Sequence, residues 1–157
     1  MSKPGHKLLI VSHAPSEHTR KLTEAVLRGA RQAAADQLVC EWIAPLEADA
    51  DDVLSAQGII LGTTENFGYM SGAMKDFFDR TYPHCLDRTE GMPWALFVRA
   101  GNDGAGAQSS IERIVTGLKW KAVQPPLICS GPWQPDFEPA CEELGMTMAA
   151  GLEACVF

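Results

Sequence analysis

Short apolar runs alternate along the chain with longer segments whose apolar residues recur at helical spacing. The apolar runs are followed by turn residues, as is typical of strands buried on both faces, and they cover residues 7–12, 38–44, 58–63, 93–100 and 126–130. Helices are predicted at 19–37, 49–56, 107–120 and 138–157, and one more helix begins at Ser71 or Gly72. This alternation predicts an α/β protein whose parallel sheet is covered by helices on both faces.

The spacing within the helical segments predicts which side chains pack against the sheet. The core-facing positions are Leu22, Val26, Ala30 and Ala33 in the first helix, Met74, Phe77, Phe78 and Thr81 in the helix that begins at Ser71 or Gly72, and Cys141, Leu144, Met148 and Leu152 in the last. The sequence has no internal repeat, linker or low-complexity tract, so the pattern predicts a single domain over residues 1–157.

Charge distribution and the length of the apolar segments argue against two classes of partner. The formal net charge is -7, and no cluster of like charges is longer than the acidic one at residues 49–52. A nucleic-acid surface needs clustered Lys and Arg, so nucleic acid is not expected as a partner. No apolar segment approaches the length of a bilayer span, so membrane insertion is not expected either.

The cysteines are scattered and form no C-x-x-C motif, so neither a zinc knuckle nor a dithiol redox motif is expected. The N-terminal stretch MSKPGHK leads straight into a short strand pattern and lacks the features of a signal peptide. We therefore expect a cytoplasmic protein whose thiols are mostly buried and reduced.

Three loops that follow predicted strands are rich in Gly, Ser, Thr and Asn. They are HAPSEHT after the first strand, TENFGYMSG after the third and GNDGAGAQSS after the fourth. In a doubly wound sheet the ligand binds beyond the carboxyl ends of the strands, near the point where the strand order reverses. These three loops are therefore the candidate site.

Each loop allows a functional and a purely structural interpretation. Ser16 and Thr19, at a helix start, can hold a phosphate or simply cap the helix. Phe67 and Gly68 can hold a planar ring, or Phe67 can anchor the core while Gly68 makes a turn. The third loop lacks the third glycine of the dinucleotide fingerprint, which favours a flexible pocket wall over a nicotinamide site.

Spacing argues against several other sites. The chain has no G-x-x-x-x-G-K-[ST] motif, and GYMSG is one residue out of register with the G-x-S-x-G of hydrolases. No cysteine is followed six residues later by the arginine that a phosphatase thiol loop requires. His13 and His18 are not spaced to share one helical face, which leaves only a loop site with Glu17 as an alternative, and no metal site is expected.

The stretch GTTENFGYMSGAMKDFFDR, residues 62–80, resembles the flavin-ring loop of flavodoxin-like proteins. It is most similar to that of the tryptophan-repressor-binding-protein-like quinone reductases and NAD(P)H-dependent FMN reductases, roughly G-T-P-x-x-F-G-x-M-S-G-x-M-K-x-F-x-D-R. The resemblance implies a flavodoxin-like three-layer sandwich, with a five-stranded parallel sheet in the order 2-1-3-4-5 and FMN as cofactor. It implies a single flavodoxin-like domain over residues 1–157.

The resemblance also implies which residues hold FMN. The phosphate would be wrapped by Ser16, Glu17, His18 and Thr19, the ring lined by Thr64, Glu65, Asn66, Phe67 and Gly68, and its other side closed by Asn102, Asp103 and Gly104. Tyr69, His84 and Asp103 are candidates for the rim of the pocket. No catalytic acid or base is assigned.

Four positions depart from the family pattern. Ala14 stands where a hydroxyl residue is usual, Glu17 replaces Gly, and Thr64 replaces Pro. Glu65 adds a second negative charge near the ring. A carboxylate beside a phosphate is repulsive unless it points to solvent.

The function implied by the resemblance is electron transfer from NAD(P)H through FMN to a quinone, a flavin or a similar acceptor. One alternative is a flavodoxin-type electron carrier that serves a redox protein and has no NAD(P)H activity of its own. Another is a regulatory relative that has lost flavin. Related proteins are often dimers or tetramers, so a homo-oligomer is compatible with the resemblance.

Overall fold

The computed structural model of the protein describes residues 6–35 and 37–157. The expectation about the N-terminal stretch rests partly on residues 1–5, and the predicted first helix includes residue 36. Both lie outside the described residues.

Strands and helices follow one another in the predicted order. The strands are β1 (His6–Ser12), β2 (Leu38–Ile43), β3 (Gly58–Asn66), β4 (Tyr69–Met70), β5 (Pro93–Ala100), β6 (Lys121–Ala122) and β7 (Leu127–Ser130). The helices are α1 (Glu17–Ala33), α2 (Ala50–Leu54), α3 (Gly72–Cys85), α4 (Ala105–Gly117) and α5 (Phe137–Glu153).

Parallel pairing joins the five longer strands into one sheet. β1 pairs with β2 on one side and with β3 on the other, and β5 pairs with β3 and with β7. The resulting order β2-β1-β3-β5-β7 confirms the predicted order of the five principal strands. The strand order reverses between β1 and β3, which places the candidate loops at the switch point.

The predicted count of five strands is too low, because two strands of two residues each join the sheet. β4 pairs antiparallel with the end of β3, and β6 pairs with Pro93 and Trp94 at the start of β5. Neither is long enough to give an apolar run in the sequence. β3 continues beyond the predicted end at residue 63 as far as Asn66, because its hairpin with β4 prolongs the backbone pairing.

Helices cover both faces of the sheet. α1 and α5 pack on one face, and α2, α3 and α4 pack on the other. The predicted core-facing residues are buried, except that Ala33 and Leu152 are only partly so. The two helix layers with the sheet between them form the predicted three-layer sandwich.

Two glycines allow the close approach of α1 and α5. A β-carbon at Gly29 would collide with the carbonyl oxygen of Glu142, and one at Gly145 would collide with the carbonyl oxygen of Val26. Both obstacles are backbone atoms, which cannot rotate away. The contact therefore fixes the position of α1, and with it the N-terminus of α1 at the carboxyl edge of the sheet.

We predict that Gly145→Ala lowers the free energy of unfolding by about 2 kcal/mol, because the added methyl group forces two helix backbones apart. Urea denaturation followed by circular dichroism measures the change. The matched control is Gly72→Ala in α3, where a β-carbon would meet nothing within 4 Å. We expect this control to be neutral or stabilising by up to about 1 kcal/mol. Equal stability of Gly145→Ala and the wild type would contradict this account of the helix contact.

Candidate functional site

The three candidate loops meet at the carboxyl edge of the sheet, as the parallel order requires. The backbone N–H of His13 donates to the carbonyl oxygen of Gly62 (2.9 Å), which joins the loop after β1 to the end of β3. A β-carbon at Gly106 would collide with the carbonyl oxygen of Gly68, so the hairpin after β3 also lies against the start of α4. The structure therefore brings the predicted loops together.

Ser16 and Thr19 form a capping box at the start of α1. Ser16 Oγ accepts a hydrogen bond from the backbone N–H of Thr19 (3.2 Å), and Thr19 Oγ1 accepts one from the backbone N–H of Ser16 (2.9 Å). These hydroxyls therefore have the structural role that the sequence allowed. The amides of Glu17 and His18 lie in the first turn and have no intrahelical acceptor, so this end of α1 still suits an anion.

The carboxylate of Glu17 turns away from the loop. Its side chain is 80% exposed, and Oε1 lies 3.6 Å from Nζ of Lys21, one turn along α1. The expected repulsion of a phosphate is weakened, because the charge is in solvent and beside a cation.

Phe67 and Gly68 form the tip of the hairpin between β3 and β4. Both residues have positive φ, 54° and 69°, as a two-residue type I′ turn requires. The ring of Phe67 is fully exposed, so the interpretation of Phe67 as a core anchor is wrong, whereas Gly68 does make the turn. The left-handed conformation costs a non-glycine residue about 1–2 kcal/mol, and an exposed ring gains no packing to offset it. The position therefore suits contact with a ligand better than it suits folding.

The hairpin is held rigidly beside α3 and α4. The backbone N–H of Met70 donates to Ser110 Oγ (3.2 Å), and that of Ser71 donates to Thr63 Oγ1 (3.0 Å). Ser71 in turn caps α3 through the backbone N–H of Met74 (3.1 Å). The wall that carries Phe67 is thus anchored on two helices.

Glu65 caps α4 instead of leaving a bare charge near the candidate ring site. Its Oε2 accepts hydrogen bonds from the backbone N–H groups of Gly106 (3.1 Å) and Ala107 (3.3 Å). The N-cap residue itself, Gly104, has no side chain to fill this role. The carboxylate is stabilised by the positive end of the helix and ties the second loop to the third.

The third loop contributes mainly backbone. Asn102 and Asp103 are exposed, and Asp103 Oδ1 accepts a hydrogen bond from the backbone N–H of Ala105 (3.0 Å). Gly104 has a φ of 71°, and a β-carbon there would lie 2.7 Å from a methyl carbon of Ile128. The loop is therefore packed closely against β7 at Gly104.

Thr64 carries the one buried side-chain oxygen or nitrogen without a hydrogen-bond partner in residues 6–35 and 37–157. An unpaired buried hydroxyl costs about 1–3 kcal/mol. Thr64 lies at the end of β3 where it leaves the sheet, in register with Arg99 of β5. A ligand oxygen at this edge would satisfy the hydroxyl, so the residues present fit the polar part of FMN.

A cluster of rings covers the first turn of α1. Trp133, which follows β7, stacks on His18 with ring centroids 4.2 Å apart, and it meets Phe137 edge-on at 5.5 Å. The guanidinium carbon of Arg99 lies 6.0 Å from the centre of the Trp133 ring. The sequence analysis did not single out Arg99, whose one signal in the sequence is a charged residue at the end of an apolar strand.

One further hydrogen bond holds the backbone of the first loop. Trp42 Nε1 donates to the carbonyl oxygen of Ser12 (3.1 Å) and fixes the backbone where β1 ends. Partial burial lowers the pKa of His13, which follows β1, and so favours the neutral form of its ring.

Two of the three rim candidates lie at this edge. Tyr69 is in the hairpin and Asp103 is in the third loop, but His84 is not near them. It lies at the far end of α3, where it lines a depression of about 350 Å³ between α2 and α3 together with Arg80 and Arg88. The prediction for His84 is wrong because α3 runs away from the site for more than three turns before it reaches this residue.

The cysteines are free, and four of them are buried. Burial raises the pKa of the Cys85 thiol, which argues against a reactive role for it. The described part of the chain contains no group of three or more His, Cys, Asp or Glu side chains that could hold a metal ion. It also contains no helix that is both long and apolar enough to cross a membrane.

Comparison of the sequence with known proteins finds relatives of two kinds, although no family model matches the chain. The chain is 30% identical over 112 residues to a flavodoxin of Aquifex aeolicus, covering 71% of this chain and 60% of the relative. It is 28% identical over 131 residues to an NAD(P)H dehydrogenase (quinone) of Acidithiobacillus ferrooxidans, covering 71% of this chain and 66% of the relative. The chain thus spans less than two thirds of the length of these curated relatives.

Comparison with solved structures identifies the fold. A flavodoxin from the domain Archaea superimposes with a TM-score of 0.80 at 20% identity, covering 94% of this chain and 99% of the other. The two-electron reduced flavodoxin of Megasphaera elsdenii gives a TM-score of 0.73 at 20% identity, covering 90% and 98%. The fold is therefore flavodoxin-like. The resemblance to flavodoxins and to quinone reductases that the sequence indicated is confirmed.

We predict that Thr64→Val leaves the ligand-free protein at least as stable as the wild type, because it removes a hydroxyl that has no partner. The neighbouring Thr63→Val should instead destabilise it by about 1 kcal/mol, since Thr63 Oγ1 accepts from the backbone of Ser71. Thermal unfolding of the two ligand-free variants makes the comparison. Equal losses of stability would contradict the assignment of Thr64 to a ligand.

We predict that Phe67→Asn raises the free energy of unfolding by about 1 kcal/mol, because Asn-Gly is the preferred pair for a type I′ turn. The same variant should bind FMN more weakly, since the ring is lost. Urea denaturation and flavin fluorescence measure the two effects. A less stable variant would show that the ring contributes to folding, and unchanged FMN affinity would show that it does not contact the flavin.

Proposed function

We propose that the protein is an FMN-binding oxidoreductase that takes electrons from NAD(P)H and passes them to a quinone, a flavin or a similar small acceptor. The observation that carries the proposal is the unpaired hydroxyl of Thr64, which lies where the flavin-loop hairpin leaves the sheet. The names of the relatives, flavodoxin and NAD(P)H dehydrogenase (quinone), support the same class of chemistry.

In this proposal the two ends of FMN are held by different kinds of group. The phosphate is received by the first turn of α1, where the amides of Glu17 and His18 are free of intrahelical partners. The ring lies between the hairpin and the third loop. The full set of proposed binding residues is Ser16, Glu17, His18, Thr19, Thr64, Glu65, Asn66, Phe67, Gly68, Asn102, Asp103 and Gly104.

Bound FMN would supply hydride and single-electron transfer, and the protein supplies position and surroundings. Phe67 offers an apolar face, and Glu65 keeps the hairpin and the third loop at a fixed separation. A β-carbon at Gly68 or Gly72 would meet nothing within 4 Å, so the backbone beside the hairpin tip is open to a second flat molecule. This opening suits a nicotinamide or a quinone. No side chain is assigned as a general acid or base.

A flavodoxin-type electron carrier is the second candidate, since the relative from Aquifex aeolicus is named flavodoxin. The exposed ring of Phe67 would then contact a redox protein. A cytoplasmic setting belongs to both candidates and suits five free cysteines. A homo-oligomer is compatible with both.

The test is a titration of the purified protein with FMN, followed by quenching of flavin fluorescence, with riboflavin in parallel. We expect FMN to bind at least about tenfold more tightly than riboflavin, which corresponds to about 1.4 kcal/mol from the phosphate. Addition of NADH or NADPH to the FMN-loaded protein, with and without a quinone, then separates the candidates. Bleaching that a quinone reverses supports the oxidoreductase.

Two other results would count against the oxidoreductase, and a third would count against the proposed phosphate site. A protein that binds FMN but is not bleached by either nucleotide is an electron carrier. A protein that binds neither flavin is the regulatory relative, and the proposal of an FMN enzyme fails. Equal binding of FMN and riboflavin would remove α1 from the proposed site.

A further inference from the structure

Arg99 is the one partly buried cation without a carboxylate partner in the described part of the chain. Lys7, Lys21 and Lys75 are also partly buried, and each has a carboxylate oxygen within 4.0 Å, at 3.7, 3.6 and 2.6 Å. Among residues 6–35 and 37–157, no carboxylate oxygen lies within that distance of Arg99. A partly buried charge without a counter-charge is unfavourable, which points to an anion that is not part of this chain.

The guanidinium of Arg99 is held in place through one of its nitrogens. Nη1 donates to the carbonyl oxygens of Ala100 (3.0 Å) and Cys129 (2.9 Å), so the group is fixed between β5 and β7. The guanidinium carbon lies 5.4 Å from the ring centre of Phe137 and 6.0 Å from that of Trp133. Nε and Nη2 have no acceptor among residues 6–35 and 37–157. The guanidinium is therefore held in one position before any ligand binds, and two of its nitrogens are free to donate hydrogen bonds to a ligand.

Thr64 is the neighbour of Arg99 across the sheet. The two residues are in register in the parallel pair of β3 and β5, so their side chains leave the same face of the sheet. Thr64 Oγ1 is the buried oxygen that lacks a partner. An unused guanidinium and an unused hydroxyl therefore stand side by side, and one ligand bearing several oxygens can satisfy both.

Arg99 and Thr64 lie near the start of α1. Trp133, against which Arg99 lies, stacks on His18 in the first turn of α1. The positive end of the α1 dipole thus faces the same region. At the start of α4 the corresponding place is already taken by the carboxylate of Glu65. Of these two helix starts, the one near Arg99 has no carboxylate bonded to its amides in the described part of the chain, since the Glu17 carboxylate lies in solvent beside Lys21.

We propose that Arg99 is a specificity residue that selects a phosphate monoester, with the hydroxyl of Thr64 as its partner. The inference rests on the proposed function, and it states what makes the site prefer FMN over riboflavin. The phosphate is a dianion at neutral pH, so a fixed guanidinium acts on it and not on the uncharged end of riboflavin.

The test compares Arg99→Gln, Arg99→Lys and the wild type in titrations with FMN and with riboflavin at low and at high NaCl. The matched control is Arg113→Gln, because Arg113 is exposed on α4 and has no carboxylate partner within 4.0 Å in the described chain. We expect Arg99→Gln to weaken FMN binding by about tenfold or more and to leave riboflavin binding within about twofold. Arg99→Lys keeps the charge but loses the fork of donors, so it should retain only part of the FMN affinity. Added salt should weaken FMN binding more in the wild type than in Arg99→Gln.

A parallel loss of FMN and riboflavin binding in Arg99→Gln would mean a structural role and would overturn the proposal. Unchanged FMN binding would overturn it as well. If Arg99→Gln does not fold, as judged by circular dichroism, the comparison passes to Arg99→Lys and Thr64→Val. In that case a loss of affinity for FMN but not for riboflavin in Thr64→Val supports the proposal, and an equal loss overturns it.

Inorganic phosphate tests the same residue without flavin. We expect phosphate to raise the midpoint of thermal unfolding of the wild type, and to raise that of Arg99→Gln less, with sulfate-free chloride buffer of equal ionic strength as the reference. If no flavin binds but this difference is found, the FMN function fails while the anion site at Arg99 stands. If FMN binds and phosphate affects both proteins equally, the FMN function stands and the assignment of Arg99 fails.

Discussion

The parallel pairing of β1, β3 and β5 is the constraint on which the site depends. Because these strands run in one direction, their carboxyl ends lie at one edge, and residues far apart in the sequence become neighbours there. The pairing puts the end of β3 beside both β1 and β5. The close contact of α1 and α5 then holds the first turn of α1 at the same edge. The sheet and the contact between α1 and α5 position the remaining features of the site, which are the β3–β4 hairpin, the ring cluster at Trp133 and the guanidinium of Arg99.

Charge at the helix starts explains two residues that depart from the family pattern. Glu17 and Glu65 are acidic residues at a site proposed for a dianion, yet neither presents a free carboxylate to it. Glu17 is in solvent beside Lys21, and Glu65 is bound by two amides at the start of α4. The latter contact also makes one rigid wall from two loops. In the same region Arg99 keeps its positive charge uncompensated, so the balance of charge at this edge favours an anion.

Apolar periodicity and turn residues were sufficient to predict the core-facing residues and the three loops, whereas the strand order was implied only by the resemblance to flavodoxin-like proteins. It could not predict β4 or β6, which have two residues each, or the exposure of Phe67. The prediction that His84 lies at the rim of the pocket was wrong, because α3 runs away from the site and carries His84 to its far end. Arg99 was missed because its significance lies in what is absent around it, and a sequence does not show which charges find partners.

The central claim is that a phosphorylated flavin binds at the carboxyl edge of the sheet. A crystal structure of the protein crystallised with FMN would test this claim most directly. The account predicts a phosphate on the amides of Glu17 and His18, within hydrogen-bond distance of Thr64 Oγ1. It predicts the flavin ring between Phe67 and the loop of residues 102–104. A flavin bound elsewhere, for instance in the depression between α2 and α3, or a phosphate remote from Thr64 would contradict the account.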